Sequence, residues 1–314
     1  MSSSTKRDRY PGFFAAFFLI ALRMAIGWHF LYEGMEKVRS FQSPKPFSAE
    51  VYLRNANGPL ADTFRSIIPD VDSVAHLDTT KSAADWKSRL DAYAGHYSLT
   101  ADQKTAADAA YASATKKLDD WIKDRQNKED LAKYLHDLDQ NKAMLANKQA
   151  MSYERERAQD KRKDIEADRK KLVTSLDTIR DEIFTTVDKS LTAEQKARGP
   201  VPKQWTQLDL INFLTAWGLT LSGLSLLLGL LTPLGCLGGA YLLTMFYLAM
   251  PPFPGLPENP MAEGHYLIVN KNMIEFLACI ALVFIPTSLW VGLDAVLFGP
   301  WIRARRARRE AATS

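Results

Sequence analysis

Ionisable residues recur on one side of an otherwise apolar segment near the start of the chain. If this segment is a helix, four of them fall within an arc of about 120°: Arg23, His29, Glu33 and Lys37. A charge in the middle of a bilayer-length segment is costly and is expected to face other helices or water. Such a set can bind an anion or exchange protons with a bound head group.

A second polar group lies at the start of the last apolar segment. Lys271, Glu275 and Cys279 follow one another at intervals of four, and Asn272 lies beside them. By helical rise, His29 and Glu275 lie about 9 Å and about 7 Å from the same membrane face. We therefore expect Arg23, His29 and Glu275 to face one another. His265, in the loop just before, is within reach of the same site.

These residues support two interpretations. One is a structural network of ion pairs that fixes helix register. The other is a site, open to the outer membrane face, for an anion or a quinone head group, with Arg23 and His29 as donors and Glu275 or Glu33 as proton acceptor. The pattern identifies no catalytic residue and no metal site.

Cys236 and Cys279 lie far apart in sequence and form no known motif, so we expect no bond between them.

Four apolar segments must position these groups. They span residues 13–35, 208–231, 234–250 and 273–293, and each is long enough, or nearly so, to cross a bilayer. Pro286 is expected to bend the fourth. Small residues spaced by four, among them Gly235 and Gly239, predict close helix packing. We therefore expect an all-α fold built on a four-helix transmembrane bundle.

Basic residues at both ends predict the topology. Lys6, Arg7 and Arg9 precede the first segment, and five arginines follow the last, between positions 303 and 309. With four spans, both termini are then cytoplasmic, in a bacterial-type inner membrane. The start also resembles a cleaved signal peptide, an alternative that leaves the later spans unchanged.

Residues 38–207 form a polar, extracytoplasmic insert with 29 Lys/Arg and 27 Asp/Glu. No Gly or Pro occurs between Gly95 and Gly199, and heptads run through residues 165–183. This pattern predicts a coiled-coil hairpin, with its tip near residues 147–153 or a break at 124–130. Capping boxes at Thr100 and Thr192 mark helix starts. Two short helices within 48–70 fit either the bundle mouth or membrane surface, or the core of the insert.

The expected domains are residues 1–37 (N-terminus and first membrane helix), 38–207 (insert) and 208–314 (membrane helices two to four and basic C-terminus). The partners expected are the lipid bilayer and an extracytoplasmic or membrane protein, with a homo-oligomer left open. Nucleic acid is excluded, because the positive excess of the chain comes from its termini and not from a basic domain.

Four short segments carry a family resemblance: Leu22–Lys37, Leu228–Pro233, His265–Asn272 and Ser288–Leu297, within about 120 residues in all. They resemble the DoxX family of membrane proteins, which includes a component of thiosulfate:quinone oxidoreductase. The resemblance implies a four-helix membrane protein that acts as a redox subunit. It implies quinone as the electron acceptor and thiosulfate or another sulfur compound as the donor. The large insert departs from the family pattern.

We therefore expect a subunit of a membrane redox system that passes electrons to quinone. The alternative is a non-enzymatic membrane anchor or scaffold whose helical insert docks an extracytoplasmic partner.

Overall fold

The computed structural model describes residues 11–43, 45–147, 149–203, 205–254, 256, 266–301 and 304. Within these residues the chain is mostly helical and has no β-strand, only an isolated bridge between Tyr266 and Val269. The expected helical class is thereby confirmed. The chain divides into two compact units: the membrane unit, residues 1–68 and 205–314, and the insert unit, residues 69–204. The unit boundary thus falls at Pro69, and residues 38–68 lie in the membrane unit.

The membrane unit contains eight helices in its described residues. In chain order they are α1 (Phe13–Ser40), α2 (Glu50–Arg54), α3 (Ala61–Ser66), α10 (Gln207–Leu228), α11 (Thr232–Ala249), α12 (Lys271–Phe284), α13 (Thr287–Trp290) and α14 (Leu293–Leu297), with α4 to α9 in the insert unit. Among the described residues, three helices are long and apolar enough to cross a bilayer: α1, α10 and α11.

The fourth apolar segment is broken into short helices. α12 has 14 residues and ends at Phe284. Ile285 has an extended backbone, and α13 starts one residue after Pro286. Proline lacks the N–H that would continue the helical hydrogen bonds, and it disfavours a helical conformation for the residue before it. The expected bend is therefore a complete interruption.

Glycines allow the helices of the membrane unit to approach closely. A Cβ at Gly34 of α1 would collide with the backbone of Thr220 on α10, and one at Gly223 of α10 with the backbone of Leu31. The close packing predicted at Gly235 and Gly239 is confirmed. Added Cβ atoms there would strike Ser225 and the Phe30 ring.

The short helix α2 and the turn that follows it contact the last turn of α11. Tyr52 donates to the Phe246 carbonyl at 2.6 Å, and the Asn57 N–H donates to the Ala249 carbonyl at 3.0 Å. The Asn57 contact supplies a donor to the Ala249 carbonyl, one of those that the end of α11 leaves open, while the Phe246 carbonyl also accepts from the Met250 N–H at 3.4 Å. Of the two interpretations of this segment, the structure favours the mouth of the bundle over the core of the insert.

The insert unit contains six helices in its described residues: α4 (Val74–Leu77), α5 (Thr79–Tyr97), α6 (Ala101–Lys123), α7 (Arg125–Ala146), α8 (Ser152–Ser190) and α9 (Ala193–Lys196). Ion pairs show that α8 runs antiparallel to α6 and α7. Lys117 pairs with Glu182, and Lys133 with Asp168 at 2.8 Å. The chain therefore reverses between α7 and α8, at the first of the two predicted positions. The second position, at Asp124, is the break between α6 and α7.

The predicted heptad positions of α8 are in the core of the insert unit. Leu172, Leu176 and Ile183 are at most 3% exposed and pack with Trp86 and Leu118. Both predicted capping boxes form. Their two glutamine side chains, Gln103 and Gln195, also bond to each other at 2.9 Å, which ties the start of α6 to α9.

Candidate functional site

The predicted site residues lie on two helices of the membrane unit. His29, Glu33 and Lys37 follow at one-turn intervals on α1. α12 starts directly after Asn270, whose side chain accepts from the Met273 N–H at 3.1 Å. This cap fixes the start of the helix and so places Glu275 in its second turn.

A histidine and a glutamate meet across these helices. His29 Nδ1 lies 3.0 Å from Glu275 Oε1, with 33% and 16% of the side chains exposed. The distance is that of an ion pair, although Nδ1 has no partner with hydrogen-bond geometry in the described residues. Glu275 Oε2 is buried and likewise has no hydrogen-bond partner there. The pair can therefore accept or donate a further hydrogen bond.

Further charges continue from this pair along α1. Lys37 Nζ lies 2.6 Å from Glu33 Oε2 and 5.4 Å from the centre of the Phe47 ring. Glu33 also interacts electrostatically with His29 and Lys271. We call the set His29, Glu33, Lys37, Lys271 and Glu275 the His29 cluster. Five of the predicted site residues thus belong to one electrostatic neighbourhood.

Two predicted site residues remain, Asn272 and His265. Asn272 is half-buried in the first turn of α12. His265 lies outside the described residues.

The expected meeting of Arg23 with His29 and Glu275 is wrong. Arg23 is 1% exposed, and its Nη2 donates to the Val291 carbonyl at 2.8 Å. Six residues of helix, about 9 Å of rise, separate Arg23 from His29. The chain directly after α13 offers Arg23 an acceptor within reach, the Val291 carbonyl.

Sequence reasoning missed the cluster that Arg23 joins. Asp294 interacts electrostatically with Arg23, and its Oδ1 accepts from the Leu231 N–H at 2.8 Å. The Asp294 N–H donates to the Gly229 carbonyl at 2.9 Å. We call Arg23, Gly229, Leu231, Val291 and Asp294 the Arg23 cluster. The sequence did offer a signal for this cluster: Asp294 is the only acidic residue after Glu275 in the described apolar region. In the structure its side chain is 5% exposed.

The Arg23 cluster joins three parts of the membrane unit: α1, the turn between α10 and α11, and the chain after α13. Gly229 has a φ of 61°, and a Cβ on it would lie 2.7 Å from the Gly292 Cα. Asp294 caps the first N–H groups of α11 from a distant part of the chain. This arrangement fits a structural role better than a binding role, since its carboxylate is already occupied by backbone donors.

The two cysteines are free, as expected, and both are buried. They belong to one apolar cluster with Phe30 and Leu226. Among the described residues, no group of three or more His, Cys, Asp and Glu side chains is placed to hold a metal ion.

Comparisons with known proteins give no match. No family model matches the chain, and neither a curated protein nor a solved structure is similar to it. The DoxX resemblance rests on the short segments quoted above and stays a prediction.

Proposed function

We propose that the membrane unit binds the head group of a quinone at the His29 cluster, as a subunit of a membrane redox system that passes electrons to quinone. Reduction of a quinone takes up two protons with two electrons, so its site needs hydrogen-bonding groups that can exchange protons. The observation that carries the proposal is the His29–Glu275 pair at 3.0 Å, with one buried Glu275 oxygen left without a hydrogen bond in the described residues.

The surroundings of the His29–Glu275 pair suit the binding of a quinone head group. His29 and Glu275 are partly exposed in a unit whose outward surface is apolar, so a ligand dissolved in the bilayer can reach them. Glu33 and Lys37 lie farther along α1 and offer groups for proton exchange with water. A sulfur compound such as thiosulfate as the electron source follows from the DoxX resemblance alone and belongs to the same proposal.

We propose that the membrane unit crosses the inner membrane four times. α1, α10 and α11 are the first three crossings. α12 and α13 together have 18 helical residues, which is about 27 Å of rise and close to the thickness of the bilayer core. Basic residues then place both termini in the cytoplasm and the insert unit outside it. On this topology the His29 cluster lies in the outer half of the bilayer. We also propose that α6 and α7 with α8 form an antiparallel coiled coil.

The test is quinone binding by the full-length protein in nanodiscs, followed through quenching of tryptophan fluorescence by decylubiquinone and a menaquinone analogue. Trp28, adjacent to His29, is 60% exposed and is a nearby reporter. We expect saturable quenching in the wild type and an affinity about tenfold lower in Glu275→Gln and His29→Gln, the effect of losing one charge-assisted hydrogen bond.

The matched control is Glu36→Gln. Glu36 is on the same helix, 55% exposed and paired only with the exposed Arg39 among the described contacts. Its replacement is expected to leave quinone affinity unchanged. Equal affinity in the wild type and in both site variants would rule out the proposed site.

The alternative, a membrane anchor whose insert docks a partner, is favoured by one observation. The insert unit has its own core, built around Trp86, Leu118 and Leu176. Replacement of residues 69–204 by a flexible linker separates the two functions. Under the redox proposal, quinone still co-purifies with the shortened protein; under the anchor alternative, no quinone co-purifies with either form, and bound proteins are lost.

A further inference from the structure

We propose that the tip of the α7–α8 hairpin binds the surface of an anionic lipid bilayer. The surface consists of Met144 at the end of α7, Met151 before α8, and Tyr153, Arg155 and Arg157 in the first turns of α8. This inference is independent of quinone binding, which concerns the other unit.

Exposed apolar side chains in the insert unit concentrate at this tip. Met144, Met151 and Tyr153 are 38%, 62% and 50% exposed. Among the described residues of this unit, Val74 is the one other large apolar side chain with comparable exposure. The apolar residues of α8 beyond the tip, such as Leu172 and Leu176, are buried in the core. The tip residues are therefore not needed for packing within the unit.

The balance of positive over negative charge is also most favourable to an anionic surface near the tip. Residues 69–204 hold 25 Lys/Arg and 25 Asp/Glu, whereas residues 141–163 hold seven Lys/Arg and three Asp/Glu. The insert unit is therefore neutral as a whole, whereas its hairpin end has a net positive charge. Lys142 and Lys161 pair with Asp72 and Asp137. Arg155 and Arg157 are exposed on the surface of the first turns of α8.

Cationic and apolar groups are adjacent at the tip. The Arg157 guanidinium lies 5.6 Å from the centre of the Tyr153 ring. Methionine and tyrosine suit the boundary between head groups and acyl chains, and nearby arginines attract anionic head groups. A protein partner fits less well, because a stable interface buries about 800 Å² on each side, far more than three side chains on a turn provide.

The experiment uses the full-length protein in nanodiscs of phosphatidylcholine and measures its co-flotation with added vesicles. We expect capture by vesicles that contain phosphatidylglycerol, weak capture by pure phosphatidylcholine vesicles, and loss of capture at high salt, since the attraction is electrostatic and screened. The double variant Arg155→Gln/Arg157→Gln is expected to lower partitioning about tenfold or more. Met151→Ser/Tyr153→Ser should lower it further at a given salt concentration.

Two controls lie outside the tip. Val74→Ser removes an apolar side chain that is 46% exposed, and Lys116→Gln removes an exposed charge of α6. Both are expected to leave vesicle capture unchanged. All replaced tip side chains are exposed, so helix content by circular dichroism should stay constant. The proposal is overturned if anionic vesicles are not captured, or if the tip variants capture them as the wild type does.

Discussion

The membrane unit and the insert unit are both helical, but different contacts hold their helices together. In the membrane unit, glycines bring backbones into contact, and buried polar groups such as Arg23 and Asp294 tie distant turns together. In the insert unit, large side chains such as Trp86 and Leu176 fill the core, while ion pairs such as Lys133–Asp168 lie at the surface.

The difference follows from the surroundings of each unit. In water, burial of large apolar side chains drives helices together. In lipid that force is absent between helices, so close packing and buried hydrogen bonds must supply the association. The same type of substitution should therefore have different consequences in the two units.

The largest difference in stability is expected when one aspartate is replaced in each unit. Asp294→Ala removes a buried carboxylate that accepts from the N–H groups of Leu231 and Thr232. Hydrogen bonds to charged groups contribute about 1.5–3 kcal/mol each, so the membrane unit should lose about 3 kcal/mol. Asp168→Ala removes a partly exposed partner of Lys133 and should cost the insert unit less than about 1 kcal/mol.

Thermal unfolding in detergent, with a separate reporter for each unit, measures both values. Equal losses in the two variants would contradict the proposed difference between a buried cap and a surface ion pair.

A smaller effect, of opposite sign in the two units, is expected from glycine replacement. Gly223→Ala should destabilise the membrane unit by about 1–3 kcal/mol, because the new Cβ meets the Leu31 backbone on α1. A Cβ at Gly95 in α5 would meet nothing within 4 Å. Gly95→Ala should therefore stabilise the insert unit by up to about 1 kcal/mol, through helix propensity. An unchanged or raised unfolding midpoint in Gly223→Ala would show that this glycine has no special packing role in the membrane unit.

The smallest effect concerns pH and the insert unit. Burial opposes the charged form of Asp177, but the close contact with His76, whose Nε2 lies 3.1 Å from Oδ1, and the charges of Arg180 and Arg89 outweigh it and lower its pKa. A lowered carboxyl pKa stabilises the fold above the unfolded value of about 3.9. That stability is lost as the pH falls through the folded pKa.

The midpoint of insert unfolding, measured at neutral and acid pH, tests this expectation. Asp177→Asn should reduce the acid-induced drop, and Asp119→Asn, at an exposed position of α6, should not. An identical drop in wild type and Asp177→Asn would assign the acid sensitivity to other groups.

The apolar periodicity and the capping residues allowed much of the fold to be predicted. The reversal after α7, the heptad core of α8 and the two capping boxes follow local patterns, which depend on neighbours within a few turns. The place of residues 48–68 did not follow, since its deciding contacts join Tyr52 and Asn57 to α11, nearly two hundred positions away.

The same distinction between local patterns and distant contacts applies to the candidate site. Helical spacing and rise placed His29 opposite Glu275, because both helices are regular between their ends and these residues. The same reasoning failed for Arg23, because about 9 Å of helical rise separates it from His29 and a carbonyl of the chain after α13 lies within its reach. The sequence by itself determined which helix faces are polar and where along each helix the polar residues lie. Only the tertiary structure decided the partner of Arg23, since a long side chain bonds to whichever buried acceptor an irregular backbone brings within reach, here the Val291 carbonyl.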